Sequence, residues 1–306
     1  MTEGLLIELD DGQVIHVAER PAQGTRHEVL FGVLESTGEQ VVVKLERIAG
    51  SLASEQQALT WLTAKHCQAP RLRTASAAMF RAERVFCLVT DRATGHAPTT
   101  VQAWVRMGRS IATLAGIDWE GSGLPVHDVV TFGQAHTQRI DDLADHLKEL
   151  RDAVADWEQL SSSTVPPCSN RLVLTHGDPG PGNYLDDGAG TGILIDWEDA
   201  HIAPLGLDLA RATFIALLGA GPVGYVARDQ QARAQAVTRG YLEQLGGDWR
   251  PTRDELRWWL TVAGVQFIHR RWERTGQPGV SPWQEAADIL AAALNTRDAL
   301  APENPA

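Results

Sequence analysis

Lysine is nearly absent from this chain: only Lys44, Lys65 and Lys148 stand against 24 arginines. Acidic residues outnumber basic ones 39 to 27, leaving a formal net charge of −12. No basic cluster offers the phosphate-neutralising surface that nucleic-acid binding requires. Cysteine is scarce as well. Cys67, Cys87 and Cys168 lie far apart, with no CxxC pair and no Cys/His group at zinc spacing, which argues against a disulfide framework or a structural zinc site. Long apolar runs are missing too. The longest, "TFIALLGAGPVGYVA" from Thr213 to Ala227, is broken by glycine and proline and is shorter than a bilayer crossing needs. The opening "MTEGLLIELDDG" is acidic and lacks the basic start and apolar core of a secretory leader. These absences predict a soluble cytoplasmic protein whose partners include neither nucleic acid nor membrane.

What remains is an ordinary globular composition, 43% hydrophobic over 306 residues, enough for one large domain or two lobes. Residues 4–47 read as an antiparallel meander: "LLIEL", "QVIHVA", "HEVLFGVLE" and "QVVVKLE" are separated by the turn-forming "DDG", "PAQG" and "STGE". "SLASEQQALTWLTAK" then reads as a helix with Ser51 as its N-cap. "MFRAERVFCLVTD" returns to a strand pair. Beyond Gly95 the pattern turns helical. Ile140, Leu143, Leu147, Leu150, Val154 and Trp157 recur at steps of three and four, which predicts one long helix. "LTHGDPGPGNYL" and "GILIDWED" interrupt the helices as a short hairpin, and only the terminal "APENPA" reads as a loose tail. The expected fold class is α+β, with a strand-rich lobe at 1–95 and a larger, mainly helical lobe at 96–306.

The "HGDPGPGN" stretch is glycine- and proline-rich, and taken alone Asp178 and Asn183 read as turn residues capping their own backbone. Asp196 changes that reading. It follows Asn183 by thirteen positions at the end of the apolar "GILI", where a hairpin would bring the three oxygen-bearing side chains to one end. Hard cations such as Mg²⁺ take carboxylate and carbonyl oxygens together with substrate phosphates. An Asp, an Asn shortly beyond it and a second Asp after the next strand match the phosphoryl-transfer template of kinases.

The segments "HGDPGPGNYL", "ILIDWE" and "PLGLDLA", in that order and spacing, resemble the catalytic region of the aminoglycoside phosphotransferase and choline kinase family. The resemblance implies a two-lobed, protein-kinase-like fold. In it the N-terminal lobe is an antiparallel sheet with one helix, and the larger C-terminal lobe is mainly helical. It implies ATP and Mg²⁺ as cofactors and transfer of the γ-phosphoryl group to a hydroxyl of a small molecule. Asp178 would face the acceptor hydroxyl, and Asn183 and Asp196 would hold the metal. Lys44, closing "QVVVK", would meet the non-transferred phosphates, oriented by Glu55 of "SEQQALTWL". The Asp91 carbonyl and the Ala93 N–H in "VTDRATG" would bind adenine. His176 and Asp208 would support the loop.

The chain departs from the protein-kinase pattern in having no G-x-G-x-x-G, only Gly24 and Gly32 about "TRHEVLF", with "DWE" in place of D-F-G and no A-P-E segment before "PLGLDLA". These departures point to a small-molecule kinase without loop phosphorylation. The acidic balance, with Glu198 and Asp199 beside Asp196, favours a cationic acceptor such as an aminoglycoside or related antibiotic. Asn183 stands where the family's macrolide kinases typically carry histidine, which disfavours that class. Choline or another amino alcohol, homoserine or a sugar are alternative acceptors. A nucleotide-binding protein without transfer activity and a metal-dependent hydrolase are the rival readings.

Overall fold

The computed structural model describes residues 5–21, 27–143, 147–154, 157–162, 171–188, 190, 192–218, 227–275 and 282–295. Gly24, Cys168 and the "APENPA" tail lie outside the described residues. The chain forms two compact units, the first comprising Met1–Thr94, Gly121–Leu124 and Ile193–Ala200, the second Gly95–Glu120, Pro125–Gly192 and His201–Ala306.

The first unit is built on six strands, β1 (Leu6–Leu9), β2 (Val14–Glu19), β3 (Glu28–Leu34), β4 (Gln40–Leu45), β5 (Leu72–Phe80) and β6 (Glu83–Asp91), with α1 (Ala53–Ala64) between β4 and β5. Every paired neighbour is antiparallel. The expected meander is present as β1-β2-β3-β4, and the order β1-β2-β3-β4-β6-β5 closes it into a barrel. Closure comes from β5 returning to β1, with Ile7 opposite Phe80 and Leu9 opposite Ala78. Alternation supplies the core. Ile7, Leu9, Ile15, Leu30, Val41, Val43, Leu45 and Phe80 all bury into one cluster, as period-two side chains on one face of each strand must. Gly32 serves strand packing rather than a phosphate loop: a Cβ there would lie 2.5 Å from Ile15 Cγ2 and 2.9 Å from the His16 carbonyl.

Helix α1 buries Glu55, Ala58, Leu59 and Leu62, the spacing of a single helical stripe. Its N-cap is Leu52, without a side-chain cap, and not Ser51. The Glu46 carboxylate takes the cap's place, accepting from the Leu52 N–H at 3.1 Å, and negative charge is favoured at that end of a helix.

In the second unit, α2 (Val101–Thr113) is capped by Thr100 and α3 (Val129–Asp142) by Asp128. The predicted single long helix is three shorter pieces, α3, α4 (Lys148–Ala153) and α5 (Trp157–Ser162). Leu143, Leu147, Val154 and Trp157 are nevertheless buried, and Leu147 N–H still bonds the Leu143 carbonyl. Apolar periodicity reports which face is covered, and a chain can break its helix while keeping that face. β7 (Leu172–Thr175) pairs with β10 (His201–Pro204), whereas β8 (Tyr184–Asp186) joins β9 (Gly192–Leu194), so the strand before the glycine-rich loop is not part of the hairpin after it. Helices α6 (Leu207–Leu218), α7 (Ala227–Leu245), α8 (Arg253–Thr275) and α9 (Pro282–Asn295) complete the unit.

Helices α2 and α7 touch backbone to backbone. A Cβ on Gly108 would sit 2.1 Å from the Val237 carbonyl, and one on Gly240 would sit 2.0 Å from the Val105 carbonyl. Gly108→Ala is therefore expected to lower the unfolding free energy by about 2–3 kcal/mol, read by urea denaturation; an unchanged midpoint would refute the close contact. His136 on α3 is fully buried, lies 6.1 Å from the Trp258 ring, and burial holds its pKa down to about 4 from an ordinary 6.5. The unfolded chain binds this proton below the ordinary value while the folded chain does not, so stability falls as pH drops from 6.5 toward 4. Between pH 7 and pH 5 the loss from this residue is about 2 kcal/mol. His136→Phe should remove that part of the acid dependence in denaturation curves taken at the two pH values.

Candidate active site

Lys44 sits on β4 between Val43 and Leu45, whose side chains enter the barrel core, so the pleat turns Lys44 to the opposite face. There it meets α1. Its Nζ donates to Glu55 Oε1 at 2.8 Å and Oε2 at 2.7 Å, and to Asp196 Oδ1 at 2.5 Å. The Lys44 and Glu55 side chains are 13% and 3% exposed, against 38% for Asp196. Burial works against the ammonium, but the Glu55 and Asp196 carboxylates outweigh it, and the Lys44 pKa stands above its ordinary value. One cation between two carboxylates leaves surplus negative charge, and Asp196 is the accessible one of the two.

Asp196 adopts a left-handed backbone with φ of 66°, a conformation that costs a non-glycine residue about 1–2 kcal/mol. Its neighbours hold it there. Trp197 is fully buried, its N–H bonds Glu55 Oε1 at 3.3 Å and its ring N–H donates to the Leu194 carbonyl at 2.9 Å. Glu198 reaches His27, with Oε2 3.2 Å from Nε2. The imidazole carries a charge toward Glu198 only when protonated. Burial keeps His27 below its ordinary pKa, with Lys44 pushing the same way against Glu198 and Asp196. Asp91 closes β6, where its carboxylate accepts from Arg73 Nε, and Ala93 follows in the chain leaving that strand.

In the second unit, Thr175 ends β7 and the chain enters the "HGDPGPGN" loop. Asp208, in the first turn of α6 and only 4% exposed, accepts from the His176 N–H at 2.6 Å and the Gly177 N–H at 3.2 Å. This is a brace on the loop, not a cap on its own helix. Burial dominates the Asp208 carboxyl and raises its pKa against Arg211 and His176. His176 is fully buried and its Nδ1 accepts from the Asp178 N–H at 3.3 Å. Arg211 adds a second brace: one guanidinium nitrogen donates to the Gly177 carbonyl, and Nε and Nη2 donate to Gln266 Oε1 at 3.2 and 2.9 Å. Asn183 folds back, its Nδ2 reaching the Asp178 carbonyl at 3.0 Å and Oδ2 at 3.3 Å.

Asp178 and Asn183 are thus brought together in the second unit, and Lys44, Glu55 and Asp196 in the first. Among the described residues no group of three or more His, Cys, Asp or Glu side chains is placed to hold a metal. Side-chain oxygens of the kind carried by Asn183 in the second unit and by Asp196 in the first are donors that a hard divalent cation takes. Asp178 also lines a shallow cleft with Arg211, Phe214, Ile215, Gln266, Phe267 and Arg270. Sequence reasoning missed Arg211, Gln266 and Arg270. Their signal was the helical spacing of Gln266 and Arg270 on α8, which carries no motif.

The profile of the phosphotransferase enzyme family, APH, matches residues 18–259. The chain belongs to this family. It is accordingly an enzyme, a small-molecule phosphotransferase with a mixed α/β fold. No curated protein matches the sequence. Among solved structures, this phosphotransferase is similar to the macrolide 2'-phosphotransferase MphH from Brachybacterium faecium, at 20% identity with a TM-score of 0.60 over 92% of this chain and 94% of that one. It is similar to the amicoumacin kinase hAmiN, solved with AMP-PNP, Ca²⁺ and Ami, at 15% identity and 0.52 over 92% and 87%. It is also similar to an ethanolamine kinase from Plasmodium vivax, at 12% and 0.55 over 93% and 82%. At these identities the likeness is one of fold. No helix among the described residues is long and apolar enough to cross a membrane.

The brace on the loop is directly testable. Asp208→Ala leaves two buried N–H groups without their acceptor and should reduce stability by about 2 kcal/mol. Thermal and urea unfolding of the variant would overturn the brace if they matched the parent.

Proposed function

We propose that this phosphotransferase moves the γ-phosphoryl group of ATP to an alcohol of a small molecule. The observation that carries the reading is Lys44, a charged group fixed between a buried carboxylate and an accessible one. Such an arrangement costs stability unless an anion and a cation come to it. Triphosphate and a divalent metal are such a pair, and the amicoumacin kinase was solved with both kinds of ligand.

Asp178 orients the acceptor hydroxyl and accepts its proton as the new O–P bond forms and the bond from the γ-phosphorus to the bridging oxygen breaks. A carboxylate with a pKa near ~3.9 is a weak base toward an alcohol, so most of its work is positioning. Asn183 and Asp196 would hold Mg²⁺, which when bound supplies charge neutralisation at the phosphates. Lys44, kept in place by Glu55, offsets charge on the non-transferred phosphates, and the Asp91 carbonyl and Ala93 N–H receive adenine. The nucleotide-binding lobe spans 1–95 and the catalytic, acceptor-binding lobe 96–306.

The double bracing of the Asp178 loop through Asp208 and Arg211 is consistent with transfer, which needs the acceptor-facing carboxylate held in place. A metal-dependent hydrolase would leave the Lys44 and Glu55 pair without a task. The similar solved proteins include a macrolide phosphotransferase, an amicoumacin kinase and an ethanolamine kinase, which sets hydroxylated antibiotics and amino alcohols among the acceptors to screen. The net charge of −12 favours a cation such as an aminoglycoside.

A coupled ADP-release screen with Mg·ATP should find an acceptor-dependent rate that EDTA abolishes and Mg²⁺ restores. In Asp178→Asn that rate should fall by about 10²–10⁴ with the melting temperature retained. Wild-type turnover by the variant would sink the assignment.

A further inference from the structure

Strand β8 begins directly after Asn183, and within the second unit it is held at several points that the transfer chemistry does not use. Arg106 on α2 grips the Asp186 carboxylate with two arms of its guanidinium, Nε to Oδ1 at 2.7 Å and Nη2 to Oδ2 at 2.6 Å. The two side chains are only 16% and 11% exposed, and a fork of this kind fixes direction as well as distance. The backbone of Asp186 is bonded too. Its N–H donates to the His96 carbonyl at 2.8 Å, and the His96 N–H donates to the Asp186 carbonyl at 3.0 Å. Gly95 permits that approach: its φ is 136°, and a Cβ there would lie 2.8 Å from the Asp186 carbonyl oxygen.

One turn further along α2, Ser110 Oγ donates to the carbonyl of Gly192 at 3.4 Å, the residue that opens β9. Helix α2 thus bonds both strands of the hairpin. At the near end of β8, Asn183 closes the turn Pro181–Asn183, with its N–H on the Gly180 carbonyl at 3.0 Å and its Nδ2 turned to Asp178. That commits the amide nitrogen and leaves Oδ1, the atom of the pair that a hard cation takes. A strand of three residues makes few ladder bonds of its own, so the place of Asn183 depends on what grips β8 from outside.

Resting on the reading of Asn183 as a ligand of the divalent metal, we infer that Arg106 is a positioning residue for that metal. It acts through Asp186 and β8 to set where the Asn183 Oδ1 stands, without touching the ion. Groups that orient a metal ligand in this way govern affinity, and their loss typically costs about 10–100-fold.

The probe is Mn²⁺, titrated into protein saturated with ADP and read from the electron paramagnetic resonance signal of the free ion. ADP binding in EDTA is followed separately by calorimetry. Arg106→Gln should raise the Mn²⁺ dissociation constant at least about tenfold, while ADP affinity in EDTA is little changed. Arg106→Lys keeps the charge without the fork and should fall between the two; it carries the same comparison if Arg106→Gln does not fold. Gly108→Ala, which loosens the same helix at its contact with α7, should leave Mn²⁺ affinity unmoved. Asn183→Ala should weaken Mn²⁺ at least as much as Arg106→Gln, and the double variant should be no weaker than Asn183→Ala alone, since the arginine acts through the asparagine. Unchanged Mn²⁺ affinity in the Arg106 variants overturns the inference, as do an equal loss in Gly108→Ala or additive losses in the double variant. Parental Mn²⁺ affinity in Asn183→Ala is a different failure: it would sink the metal reading of Asn183 itself, and this inference with it.

Discussion

A lysine ammonium almost out of reach of water is the interaction on which the first unit's chemistry rests. Lys44 could not be kept charged at that depth alone, and Glu55 is what makes it tolerable: a carboxylate on the apolar stripe of α1, itself 3% exposed. Each charge is costly without the other. The pair ties the strand to the helix, and the Glu55 carboxylate reaches on to the Trp197 N–H, which sets the backbone next to Asp196. A single buried ion pair thereby positions a cation, a partly exposed carboxylate and the segment that carries it.

The second unit solves a related problem with one buried carboxylate, Asp208. Its loop is rich in glycine and proline, and such a chain has much conformational freedom to lose. Asp208 and Arg211 take hold of the loop through backbone groups of His176 and Gly177, and the Asn183 side chain adds a tie to the Asp178 carbonyl. Bracing through the main chain makes the loop's shape insensitive to which side chains it displays.

Legibility in the sequence followed the kind of information each feature needs. Lys44, Glu55, Asp178, Asn183 and Asp196 were singled out because their residue types and order along the chain match one chemistry, and a lysine stands out among 24 arginines. The strands were readable from alternation. Their closure was not, because pairing of β1 with β5 depends on two edges more than sixty residues apart and leaves no local mark. The break of one apolar-faced run into α3, α4 and α5 was hidden for the opposite reason: the face continues while the helix does not. Ser51 does not cap α1; the Glu46 carboxylate, just past the end of β4, accepts from the Leu52 N–H instead. Arg211, Gln266 and Arg270 come together only through the packing of α6 and α8.

The closed barrel bears on the life of the protein outside its catalytic cycle. An open sheet ends in two strands with free amide and carbonyl groups, and these are templates for stacking one molecule on another. Here β1 and β5 satisfy each other. The barrel of the first unit needs no charged or proline-studded rim to block edge pairing, and its strands are free to be as apolar as the core requires.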